Sequence, residues 1–95
     1  MASQADVAKY DELIKELGDF HTAILEAREN MLKCVTVCQD IMGNDSISTN
    51  AGNNIQNACK KYLSVATEAQ ELRKKLSKER EVIIKLIEDS KKLEG

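Results

Sequence analysis

The sequence predicts an all-α protein: an antiparallel two-helix hairpin, coiled-coil-like, that completes a four-helix bundle by dimerisation or with a partner. Three observations predict it. Apolar residues recur every seven positions in both halves. The 95 residues contain no proline and few aromatics, and about a third are charged, rich in Glu and Lys. A polar, glycine-bearing stretch separates the two repeats.

Helix 1 is expected over residues 3–42. Ser3 followed by Asp6 reads as a start related to the capping box. One apolar row is Val7, Ile14, His21, Arg28, Val35, Met42; a second is Tyr10, Leu17, Ile24, Met31, Cys38. A flanking row is Leu13, Phe20, Ala27, Cys34, Ile41. Three rows make a stripe wider than a two-stranded seam requires. Gly43 with Asn44 reads as the stop.

Residues 43–54, GNDSISTNAGNN, carry turn chemistry, with Ser46, Ser48, Thr49 and Asn50 as candidate N-caps. Asparagine and glycine here argue against one continuous helix. With the turn centred near residue 48, facing residues have numbers summing to about 96.

Helix 2 is expected over residues 55–93. One row is Ile55, Tyr62, Ala69, Leu76, Ile83, Ser90; its companion is Ala58, Val65, Leu72, Glu79, Leu86, Leu93. Acid-then-base pairs four apart support both helices: Asp11–Lys15, Glu29–Lys33, Glu71–Lys75, Glu81–Lys85 and Glu88–Lys92. The hairpin forms a single domain, 1–95.

Charge supports the pairing. Ser3–Met42 holds eight acids and four bases, whereas Ile55–Leu93 holds six acids and ten bases. The halves are complementary, and the net charge of -2 gives no reason to expect nucleic acid. Leu72–Arg80, LRKKLSKER, carries five cations without interleaved aromatics and reads as a solvated face opposite the acidic helix. No membrane span and no cleaved signal peptide are visible. The expected location is cytoplasmic, with secretion lacking a cleaved signal as the alternative.

Three clusters invite a chemical reading. Cys34, Cys38 and Cys59 lie near the turn end as free buried thiols, a disulfide or a thiol site. Zinc would lack a fourth ligand, since His21 is about 20 Å from Cys34 along a helix. His21, Arg28 and Glu79 interrupt the apolar rows and form a candidate polar layer that fixes register. The apolar open end supplies candidate partner contacts: Leu13, Leu17, Val82, Ile84, Leu86 and Ile87. No nucleophile, phosphate loop or metal set accompanies them, so no catalytic residue, metal or cofactor is assigned. Asn44-Asp45-Ser46 fits a glycosylation sequon.

These features point to a non-enzymatic interaction module or adaptor that binds itself or another helical protein. A thiol-controlled helical switch is one alternative. Another follows from a resemblance. Length, central turn and symmetry resemble the small Trp-x-Gly helical hairpins of type VII secretion; at the motif position Ile41-Met42-Gly43 has the glycine without the tryptophan, and the Tyr-x-x-x-Asp/Glu export pattern is missing, Ile84-x-x-x-Glu88 being a poor substitute. That resemblance implies a four-helix dimer and a role as secretion partner or targeting factor.

Overall fold

A computed structural model describes residues 3–43 and 45–94. Two helices account for nearly all of them: α1 (Gln4–Met42) and α2 (Ser46–Glu94). They lie antiparallel in a rod whose Cα extents are 75 × 14 × 13 Å. None of the described helices is long and apolar enough to cross a membrane.

The start of α1 is as expected. The Asp6 carboxylate accepts from the Ser3 backbone N–H at 3.0 Å and from its hydroxyl at 3.3 Å. Its end is Gly43, whose N–H donates to the Gln39 carbonyl at 3.0 Å while its backbone takes φ +70°. That conformation is open to glycine and strained for other residues.

Helix 2 begins at Ser46, not near residue 55. Its N-cap is Asp45, none of the four candidates. The Asp45 carboxylate accepts from the Ser48 N–H at 2.7 Å, and its carbonyl takes the first helical bond, from Thr49. The asparagines and Gly52 are therefore helical. A single cap outweighs their low helix propensity because tertiary packing rewards the extension. Gly52 is buried against Val35. The asparagine of the sequon, Asn44, lies outside the described residues.

The shorter turn shifts the register. Facing pairs include Val35 with Gly52, Ile14 with Arg73, Tyr10 with Glu79, and Asp11 with Arg80. Their numbers sum to 87–91 rather than 96. Helix 2 consequently overhangs the start of α1 by roughly nine residues, or about 13 Å.

The seam also uses a different row of α2. Val7 and Val35 are buried on α1, as the first row predicts. On α2 the buried residues are Ser48, Gly52, Cys59, Ala66 and Ala69. The expected companion row points outward instead: Val65 is 40% exposed, Leu72 44% and Leu86 53%. The row that replaces it is Gly52, Cys59, Ala66, Arg73, Arg80, Ile87. Its small members let the helices approach closely. Its arginines reach across the seam to α1. Arg73 Nε donates to the Ile14 carbonyl at 3.1 Å, and Arg80 pairs with Asp11. Of the five expected pairs within helices, Glu29–Lys33 closes, at 3.6 Å. Asp11 turns to α2 instead.

Candidate functional site

The hairpin's own core is thin. Its buried apolar residues are Val7, Val35, Cys59, Ala66 and Ala69, three of them small. The chain exposes 7223 Å². A compact monomer of 10.6 kDa would expose roughly 5,500 Å². The excess of roughly 1,700 Å² follows from the rod shape, and the exposed surface includes large apolar residues on both helices.

That apolar surface is organised. On α1 the half-buried row Tyr10, Leu17, Ile24, Met31 is followed outward by Leu13, Phe20, Ala27, Cys34 and Ile41, all exposed. Together they alternate three and four apart, which is a second heptad seam beside the first. On α2 the row Ile55, Tyr62, Ala69, Leu76, Ile83 is followed outward by Ala58, Val65, Leu72, Glu79 and Leu86. The second seam is apolar apart from Glu79, whereas the seam the chain closes on itself contains His21, Arg28, Arg73 and Arg80.

Both second seams open on one flank of the rod. A groove there is lined by Phe20, Ala23, Ile24 and Ala27 of α1 with Tyr62 and Val65 of α2. Another joins Lys9, Tyr10 and Leu13 to Leu76. At the turn end a small apolar cavity is lined by Val35, Cys38 and Met42 with Ile47, Ser48, Ala51, Gly52 and Ile55. One polar group crosses the flank: Tyr10 Oη donates to Glu79 Oε2 at 3.3 Å. Partial burial, and then the Glu79 carboxylate, push the Tyr10 phenol above its ordinary pKa.

The six open-end contact candidates divide by position. Leu13 and Leu86 are exposed on this flank. Leu17 and Ile87 are half-buried at the seam between the helices, and Ile84 is half-buried one step outside it on the opposite flank. Val82 is exposed, 58%, beyond the edge of the apolar flank. Reading α2 by its more apolar rows alone missed this division. The signal that separates them was the small-residue row from Gly52 to Ala66.

The polar layer does not assemble. Glu79 stands level with Tyr10, far along the rod from His21, which is level with Ala66 and Ala69. Arg28 is half-buried on the seam, its Nε sealed without a hydrogen-bond partner among the described residues. The expected His21–Glu79 proximity rested on the longer turn, and the shorter one removes it. The same shift separates the thiols. Cys59 is buried, and its Sγ donates to the Arg28 carbonyl at 3.8 Å rather than facing Cys38 or Cys34. Cys34 and Cys38 are free and exposed. Among the described residues no group of three or more His, Cys, Asp or Glu side chains is placed to hold a metal.

The chain matches no family model, and no curated protein or solved structure matches it. The reading of function therefore rests on the flank. Gly43 of Ile41-Met42-Gly43 does sit at the turn, while Ile84 and Glu88 lie within the continuous α2.

Proposed function

We propose that this protein is a self-associating helical interaction module, non-enzymatic, whose apolar flank packs against that of a second copy to complete a four-helix bundle. The observation that carries this is the second seam. Each helix of a four-helix bundle touches two neighbours and needs an apolar stripe of three rows, not two. Both helices here have that stripe, and in both the unused row opens on the same flank. A hairpin that worked alone would have no use for it. Leu13, Phe20, Val65, Leu72 and Leu86 are each about half exposed. Completing their burial would contribute on the order of 1 kcal/mol apiece before the costs of association.

The reading is tested by comparing flanks. Leu72→Glu places a charge in the second seam. Leu63→Glu places the same charge at a residue of equal exposure, 44%, on the opposite flank. Light scattering after size exclusion should show the assembly lost in the first variant and kept in the second. Equal behaviour of the two variants refutes the assignment of the face.

A further inference from the structure

We infer that the second copy sits with its turn at the same end of the bundle, so that the acidic α1 of each chain packs on the basic α2 of the other. This deepens the self-association reading and rests on it. Two kinds of two-fold axis can close a pair of hairpins over one flank. An axis along the rod puts both turns at one end and sets α1 against α2 of the second copy. An axis across the rod puts the turns at opposite ends and sets α1 on α1 and α2 on α2.

Charge selects between them. Helix α1 carries eight acids and four bases, and α2 carries seven acids and ten bases. Packed helices lie about 8–10 Å apart, within a Debye length of about 8–10 Å in ordinary salt. The crosswise axis would run two net-acidic helices together, and two net-basic ones. The lengthwise axis alternates acid and base around the bundle, with every neighbour antiparallel.

Register adds a second argument. Rotation about an axis along the rod leaves each residue's height unchanged. The register within one chain therefore recurs between chains. Lys9, which lines the flank groove with Tyr10 and Leu13, comes level with Glu79 of the second copy. The one acid in the apolar row thus gains a cation. Glu16, just outside the same seam, comes level with Lys75 of the second copy.

The arrangement gives the bundle a direction. One end carries two short turns. At the other, two α2 ends project past α1, each with Leu93 exposed.

Pulsed dipolar spectroscopy on a spin-labelled chain tests the arrangement. Asn50→Cys puts a label on an exposed residue close to the turn, with Cys34, Cys38 and Cys59 each changed to Ala. Lys91→Cys in the same background puts one at the far end. Solution mass is read on the same samples. A dimer with spin–spin distances under about 35 Å at both sites supports the arrangement, as packing of neighbouring helices requires. A dimer with distances beyond about 50 Å, set by the length of the helices, overturns it while leaving self-association standing. A native chain that is itself monomeric overturns both. Should the labelled background not associate, the charge swap Glu16→Lys with Lys75→Glu in the native background decides. Each single change should weaken the dimer and the pair should restore it; equal weakening by the pair overturns the arrangement.

Discussion

Replacing Gly52 by alanine should stabilise the protein, although the local sequence reads as a turn. Gly52 lies in the first two turns of α2 and is buried against Val35. Its φ is not positive; among the described glycines only Gly43 has that conformation. A Cβ built at Gly52 meets nothing closer than Val35 Cγ1 at 3.5 Å, an ordinary van der Waals contact. The methyl therefore costs no repacking. Removing glycine's backbone freedom from the unfolded chain contributes up to about 1 kcal/mol. For a domain of this size that raises Tm by roughly 4–8 °C. Thermal denaturation followed by circular dichroism reads the change, at fixed chain concentration because assembly itself moves Tm. Gly43→Ala supplies the contrast. At φ +70° and ψ -145° an alanine is strained by about 1–3 kcal/mol, and Tm should fall. An unchanged or lowered Tm for Gly52→Ala would refute the early start of α2, and with it the shifted register on which the flank depends.

Other perturbations give separate readings. Gly18→Ala should change Tm little: its Cβ comes within 3.1 Å of the Arg73 guanidinium, so the helix-propensity gain is offset by pushing Arg73 off the Ile14 carbonyl. Asp45→Ala removes the N-cap of α2 and should cost about 1 kcal/mol in denaturant unfolding. Timed alkylation of reduced protein should find Cys59 slow and Cys38 reactive, with Cys34 faster in the Leu72→Glu variant than in the native chain; three equally fast thiols would contradict the seam. The raised pKa of Tyr10 means that its neutral form is favoured by folding. Its contribution is intact below about pH 10, the ordinary phenol value, and is lost as pH climbs through the folded value. Stability of the native chain should thus fall more steeply above pH 10 than that of Tyr10→Phe, and parallel curves would remove the Tyr10–Glu79 contact from the account.

The rows of α1 were legible in the sequence because its inner residues are large and its period is regular. Val7, Ile14 and Val35 face α2 as their spacing says, and Ser3 with Asp6 marks the start. Helix α2 was harder to read for a physical reason. Its two most apolar rows are the shared one and the outer one, so hydrophobicity pointed to the surface left uncovered. The row that closes the hairpin is made of Gly52, Cys59, Ala66 and two arginines, whose value lies in small size or long stems rather than in apolar character. The turn was misplaced for the same reason. Asn50, Gly52, Asn53 and Asn54 have loop preferences, yet the Asp45 cap and the fit of Gly52 to Val35 keep them helical. A nine-residue error in the start of α2 then moved every cross-helix pairing, which is why neither the His21–Glu79 layer nor the cysteine cluster assembles. The third row of α1 was visible as surplus, and the flank it forms with α2 became visible once the register was known.

The central claim is that one hairpin is half of an assembly. Sedimentation equilibrium of the native chain, under reducing conditions and across a dilution series, tests it most directly. The account predicts a mass near twice the 10.6 kDa of the chain at high concentration, falling toward one chain on dilution. A mass of one chain at every concentration, with the protein still helical, would contradict it.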